Sequence, residues 1–209
     1  MAWNCLGRVR IAPPHHARAP GGGVARGAVA GFTLMELMIV VVILAILATM
    51  AYPALDFIEK RRLVAATDNL HSQIQFARME AIKQSRNIFI VTMTANNGAD
   101  WCLGVSDTTG CNCTLEDNTA TGACTIYTAT PGQVLRTTRS ADFPNILMTG
   151  ARTQTEIDMA RGIILSGSGD IVLESRKGHI TRINVNVTGR TRICSPSGAS
   201  FAGGGYRPC

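Results

Sequence analysis

Two arginines near the C-terminal end of the chain, Arg190 and Arg192, are separated by one residue and follow Gly189. A guanidinium group binds a phosphate through two parallel N–H···O hydrogen bonds. If residues 191–194 form a β-strand, both arginines lie on the same face about 7 Å apart, close to the spacing of neighbouring phosphates on a DNA strand. Gly189 has no Cβ and would let a backbone approach closely. The Gly-Arg-Thr-Arg motif therefore predicts a site for a phosphate polymer.

The sequence around this motif extends its positive charge. From Ser175 to Cys209 the chain has six basic residues and no acidic one. Lys177 and Arg182 are predicted to widen the patch, and a Cys194–Cys209 bridge would hold Arg207 beside it by closing a short loop. Short basic clusters are also common as solvated faces that keep a protein soluble. Charge alone leaves both interpretations open.

Catalytic and metal chemistry are not indicated. Ser166 and Ser168 lie among glycines, but the G-x-S-x-G spacing and a neighbouring histidine are both missing. Residues 167–169 are instead predicted to form a hairpin turn between two strands. A zinc site is disfavoured because the chain has no CxxC pair. We therefore predict a protein that is not an enzyme and has no metal and no cofactor.

Six cysteines follow the first 31 residues, and they predict disulfides. An even number of cysteines in an exported domain is typical of an oxidising compartment. These cysteines are Cys102, Cys111, Cys113, Cys124, Cys194 and Cys209. The pairing of the first four is left open, although a Cys111–Cys113 bond is disfavoured because a bridge across one residue would be strained.

An apolar segment near the N-terminal end precedes the part of the chain that carries the arginines and cysteines. Residues 1–31 are rich in Gly, Ala, Pro and Arg and are predicted to be a leader that is removed. The next twenty residues, Phe32 to Ala51, would span roughly 30 Å as a helix, enough to cross a bilayer. The arginines that precede the segment place the C-terminal part outside. Glu36 is the exception in this segment, because a carboxylate in lipid costs several kcal/mol unless it is paired or interfacial.

The remaining chain predicts an α+β fold, in which a long helix packs on an antiparallel all-β domain. In residues 54–86 a stripe with helical period predicts an amphipathic helix. The stripe consists of Leu63, Ala66, Leu70, Ile74, Ala77 and Ala81. Residues 87–209 contain short β-type runs. The predicted strands are 88–93, 126–127, 134–135, 146–148, 162–165, 170–173, 180–187 and 191–194. Residues 94–125 are predicted to be a disulfide-braced loop.

The segment Gly31-Phe32-Thr33-Leu34-x-Glu36-Leu37 resembles the prepilin cleavage motif of type IV pilins and type II secretion pseudopilins. The resemblance implies that prepilin peptidase cuts after Gly31 and that Phe32 is methylated. It also implies that Glu36 pairs with the N-terminal amine of a neighbouring pilin subunit during assembly. Residues 32–53 would then be the transmembrane and assembly helix of a single-pass inner-membrane protein. Its globular domain would be periplasmic, and it would reach the cell surface in a pilus.

Residues 162–169 and 188–194 resemble the GspH/FimT branch of minor pilins. The GRxR motif of Gly189, Arg190 and Arg192 is similar to the C-terminal DNA-binding motif of FimT-type minor pilins, which take part in DNA uptake for natural transformation. This implies binding of extracellular double-stranded DNA through phosphates and without sequence preference. Tyr206 and Phe201 are too few aromatic residues to predict a single-strand preference. The alternative is a structural minor pilin or a GspH-like secretion pseudopilin without DNA binding.

Overall fold

The computed structural model describes residues 31–128, 132–196 and 206–209, except the side chains of residues 50–55. The leader predicted for residues 1–30 lies outside these ranges, as does Phe201. The chain divides into two units, one ending at Ala45 and the other beginning at Ile46.

Helix α1, Leu34–Gln84, begins at the third residue after the predicted cleavage site. Thr33 caps it, because the backbone N–H of Glu36 donates to Thr33 Oγ1 at 3.2 Å. The T-x-x-E spacing is that of a capping box, in which a glutamate at this position can also accept from the backbone N–H of the cap residue. The apolar side chains from Leu34 to Leu47 are exposed. Among the helices in the described part of the chain, none combines the length and apolarity of a membrane-crossing segment.

The second half of α1 packs on the β-rich domain through the predicted stripe. All six stripe residues are at most 3% exposed and belong to the main hydrophobic core, so this prediction is confirmed. One polar contact lies inside the same interface, where the hydroxyls of Thr67 and Thr181 are 2.7 Å apart. Burial of these two hydroxyls is tolerated because each has a hydrogen-bond partner.

In the described residues of the β-rich domain there are eleven short strands, and every pairing between them is antiparallel. The strands are β1 Ile88–Ala95, β2 Asp100–Ser106, β3 Thr125–Tyr127, β4 Gln133–Leu135, β5 Thr137–Arg139, β6 Ile146–Thr149, β7 Gln154–Ile157, β8 Ile164–Ser166, β9 Gly169–Ser175, β10 Ile180–Val185 and β11 Thr191–Cys194. They form a five-stranded sheet in the order β5-β2-β1-β7-β8, a four-stranded sheet in the order β11-β10-β9-β6, and a β3-β4 ribbon. The predicted α+β fold is confirmed.

Two predictions about the sheet were wrong. The loop expected at residues 94–125 contains β2, which is buried along almost its whole length and therefore lacks alternating polarity. Residues 167–169 do not form a hairpin turn, because β8 belongs to the five-stranded sheet and β9 to the four-stranded sheet. They carry the chain from one sheet to the other. The strand predicted at 162–165 begins at Ile164, and the strand predicted at 180–187 ends at Val185.

Three disulfides join the six cysteines. Cys102 pairs with Cys113, Cys111 with Cys124, and Cys194 with Cys209. The first two bridges pack with Val91 in a second, smaller core. They brace the polar segment that follows β2, where few large apolar residues are available. The third bridge is the one predicted from the sequence.

Asp56 ties α1 to the turn between β9 and β10. Its carboxylate accepts a hydrogen bond from Lys60 at 2.7 Å and lies 3.1 Å from His179 Nε2 and 3.7 Å from Lys177 Nζ. The hydrogen bond from Lys60, followed by that from His179, lowers the pKa of Asp56 from 3.8 to about 2. Asp56 therefore stays ionised in mildly acidic solution.

The lowered pKa of Asp56 predicts that the contact between α1 and the turn between β9 and β10 weakens in acid. A carboxyl group with a depressed folded-state pKa stabilises the fold above its unfolded pKa, and the contribution is lost as the pH falls through the folded value. In the wild-type chain this loss lies between pH 3.8 and about 2. We expect Asp56→Asn to reduce the fall in melting temperature across that window, measured by circular dichroism. An identical fall in both proteins would contradict the assignment.

Candidate nucleic-acid interface

The four-stranded sheet has one face in the core and one face open to solvent. Ile171, Ile183 and Val185 point into the core, so the residues that alternate with them point outward. On this outer face Asp170, Asn184 and Arg192 lie in one row across β9, β10 and β11. In the neighbouring row Arg182 is opposite Cys194.

This face and the C-terminal tail enclose a groove of about 630 Å³, called here the arginine groove. It is lined by Asp170, Arg182, Asn184, Arg190, Arg192, Ile193, Cys194, Arg207, Pro208 and Cys209. Four of the six residues predicted for phosphate binding are therefore brought together. They are Arg182, Arg190, Arg192 and Arg207.

The tail reaches the groove because a disulfide and several hydrogen bonds attach it to the rest of the domain. The Cys194–Cys209 disulfide joins it to the end of β11. The Ser195 N–H donates to the Arg207 carbonyl at 3.0 Å, and the Tyr206 hydroxyl donates to Asp68 at 2.6 Å. Burial of the ring and the Asp68 carboxylate raise the pKa of Tyr206 above its ordinary value, so the hydroxyl stays a donor. Arg207 is thereby held beside β11, as predicted.

Gly189 has a different role from the one predicted. It is buried in the turn between β10 and β11 and has a φ of +74°. An added Cβ would lie 2.1 Å from the Gly162 carbonyl oxygen. The backbone that approaches Gly189 is therefore that of Gly162, and Gly189 is not exposed to a phosphate. Its small size and positive φ shape the turn that presents Arg190.

The predicted place of Lys177 was also wrong. Its ammonium group lies beside Asp56, and Lys177 does not line the arginine groove. The turn between β9 and β10 carries it to the end of the sheet that meets the start of the amphipathic part of α1. Lys177 therefore belongs to the Asp56 cluster.

The charges in the groove are not equivalent. Arg182 Nη1 lies 3.4 Å from the Asp170 carboxylate, so its charge is partly neutralised. Asp170 also accepts a hydrogen bond of 2.5 Å from Asn184. Within the described residues Arg190, Arg192 and Arg207 form no ion pair, and their side chains are exposed. These three guanidinium groups can bind a phosphate without first breaking an ion pair.

Asp170 and Asn184 were not predicted as groove residues. Both residues occupy outward-facing positions of β9 and β10. The alternation of apolar and polar residues along each strand could have indicated this orientation. However, the row that they form with Arg192 depends on the pairing of three strands, which local sequence does not give. At the other end of the chain, Gly31, Phe32 and Glu36 are exposed around the start of α1.

Comparison with known proteins supplies the family. A family model described as type II transport protein GspH matches residues 66–207, and a model of the prokaryotic N-terminal methylation motif matches residues 26–52. Two crystal structures of the type IV minor pilin FimU from Pseudomonas aeruginosa are similar to the chain. The structure in space group P65 has 19% identity and a TM-score of 0.41, and covers 64% of this chain and 96% of its own. The structure in space group P21 has 18% identity and a TM-score of 0.44, and covers 68% and 97%.

The match to the GspH model extends over most of α1's amphipathic part and over all the strands given above, and it includes the four arginines of the groove. The methylation motif covers the predicted cleavage junction and the segment that follows it. With more than half of its length matched by the family model, this chain belongs to the GspH family of pilin-like proteins.

Proposed function

We propose that this protein is a minor type IV pilin that binds extracellular double-stranded DNA through the arginine groove, for uptake in natural transformation. The observation that carries the proposal is the convergence of three exposed arginines without ion pairs, Arg190, Arg192 and Arg207, in one groove. Contacts to phosphates give salt-sensitive binding without sequence preference. A single groove offers few contacts, so several subunits at a pilus tip would bind more tightly than one.

We further propose that prepilin peptidase cuts after Gly31 and that Phe32 becomes the methylated N-terminus. The match to the methylation motif supports this processing. Before assembly the apolar start of α1 would anchor the chain once in the inner membrane, with the β-rich domain in the periplasm. The exposed apolar side chains there would be covered by lipid and then by other pilin subunits. Glu36 would pair with the Phe32 amine of a neighbour, since each buried charge needs a partner.

A second candidate function is a pseudopilin of a type II secretion system without DNA binding, which the description of the matching family model favours. Binding of a fluorescent DNA duplex to the purified mature chain in detergent distinguishes the two. We expect a rise in anisotropy that added salt reverses. No rise at low salt, with a folded protein, would favour the pseudopilin.

Asp170→Asn is predicted to strengthen duplex DNA binding about threefold, the size expected from removing one negative charge near the phosphates. The substitution also frees Arg182, while an asparagine can still accept the hydrogen bond from Asn184. Glu174→Gln is the matched control, because it removes the same charge from the same strand outside the groove. Fluorescence anisotropy measures both variants. Equal affinities for Asp170→Asn and the control would show that Asp170 does not oppose the ligand.

A further inference from the structure

Three side chains of α1 bind the segment that carries the groove arginines. Arg78 Nη1 donates to the Gly189 carbonyl at 3.2 Å. Gln75 Nε2 donates to Thr191 Oγ1, and His71 Nε2 lies 2.9 Å from the same hydroxyl oxygen. Positions 71, 75 and 78 follow one another at intervals of four and three, so they form one row along the helix. The row makes hydrogen bonds to a segment that lies more than one hundred residues later in the chain.

Thr191 is the residue between the two arginines, and its side chain points the other way. Successive side chains of a strand alternate between faces, so the contacts of Thr191 with α1 leave Arg190 and Arg192 on the groove side. A threonine hydroxyl has one donor hydrogen and two acceptor lone pairs. It can accept from Gln75 and either donate to a neutral His71 nitrogen or accept from a protonated one. The attachment is therefore compatible with both charge states of the imidazole.

β11 needs such an attachment because it is short and lies at an edge. It has four residues, and among the strands that the structure describes it pairs with β10 alone. Ordering arginine side chains on a mobile strand would cost binding free energy, whereas a strand fixed beforehand avoids part of that cost. Attachment at Thr191 fixes the strand at the residue that lies between the two arginines.

We propose that His71, Gln75 and Arg78 are positioning residues that hold Thr191 and Gly189 so that Arg190 and Arg192 face DNA in a fixed geometry. This inference rests on the proposed function, since it concerns the same groove. None of the three residues lines the groove. They act on the ligand only through the backbone and the hydroxyl that they bind.

The chain offers a matched control for this attachment. Thr181, on β10, makes the same kind of hydroxyl contact with α1, through Thr67. It is buried and does not line the arginine groove. Thr181→Val and Thr191→Val therefore remove similar contacts between the same helix and the same sheet, and only the second contact lies next to Arg190 and Arg192.

The test measures affinity for a fluorescent duplex and its salt dependence in the purified mature chain in detergent, alongside melting temperatures. We expect Thr191→Val to bind about threefold to tenfold more weakly than wild type with an unchanged salt slope, because ordering is lost and the phosphate contacts remain. Thr191→Ser, which keeps the hydroxyl, should recover most of the affinity. Thr181→Val should lower the melting temperature and leave DNA affinity unchanged.

Two results would overturn the inference. If Thr191→Val binds DNA as wild type does while Arg192→Gln binds more weakly, the groove binds DNA without help from α1, and only the positioning role fails. If Thr191→Val and Thr181→Val weaken binding equally, the loss reflects general destabilisation of the fold. Absence of binding by the wild-type chain would instead remove the proposed function itself.

Discussion

A chain in which Arg190 and Arg192 are both glutamine is expected to bind duplex DNA about thirtyfold more weakly than wild type at about 0.1 M salt. Two exposed contacts between guanidinium and phosphate are removed, and each contributes on the order of 1 kcal/mol. Every 1.4 kcal/mol is roughly a factor of ten in affinity. Glutamine keeps a long polar side chain, so β11 retains its shape and its partner β10. Fluorescence anisotropy with a duplex of random sequence measures the effect.

The control for this prediction is Arg161→Gln combined with Arg176→Gln. Both arginines are exposed and lie outside the groove, and their replacement lowers the net charge by the same amount. We expect the control to lose much less affinity, because charges beyond about 10 Å from the ligand are screened at 0.1 M salt. Equal losses in the two double variants would mean that overall charge, and not the groove, attracts DNA.

Glu36→Val is expected to leave insertion and cleavage intact but to reduce incorporation into pili at least about tenfold. Without the carboxylate, the N-terminal amine of Phe32 would be buried in the filament without a partner, and losing one member of a buried charge pair costs several kcal/mol. The measurement is the amount of protein in sheared pili relative to the membrane fraction. Removal of the leader is followed in the same samples by the change in mass.

Glu36→Gln separates the charge of this residue from its place in the helix cap. Glutamine is also accepted at the last position of a capping box, and the Glu36 N–H would still donate to Thr33. If pairing of the carboxylate drives assembly, Glu36→Gln should fail nearly as badly as Glu36→Val. Normal incorporation of the glutamine variant would contradict a role for the Glu36 charge in assembly.

The elements that the sequence predicted well are those with a clear period. The apolar residues of the α1 stripe, which include Leu63, Leu70 and Ala77, recur at helical spacing, and the same residues are buried against the core. Strand β10 alternates between buried and exposed residues, as an antiparallel strand with one solvated face does. In contrast β2 is buried on both faces and contains Gly104, which leaves no alternation to detect. β5 and β7 are short and polar and become strands only through their neighbours.

Only the part of the groove that is formed by residues close in sequence, or joined by a disulfide, could be predicted. Arg190 and Arg192 are close in sequence, and the disulfide that adds Arg207 could be inferred from the two last cysteines. The contacts of α1 with Gly189 and Thr191 join residues that are far apart in the chain. Lys177 was misplaced because closeness in sequence to the basic strand does not determine which side of a turn a side chain occupies. Sheet register and the helix contacts decide these positions.

The most direct test of DNA binding through the arginine groove is the salt dependence of duplex affinity. The logarithm of the binding constant falls linearly with the logarithm of salt concentration, with a slope of about 0.9 per neutralised phosphate. If Arg190 and Arg192 each bind one phosphate, the slope of the Arg190→Gln/Arg192→Gln variant should be shallower than that of wild type by about two. Identical slopes for the two proteins would contradict the assignment of these arginines to phosphate contacts.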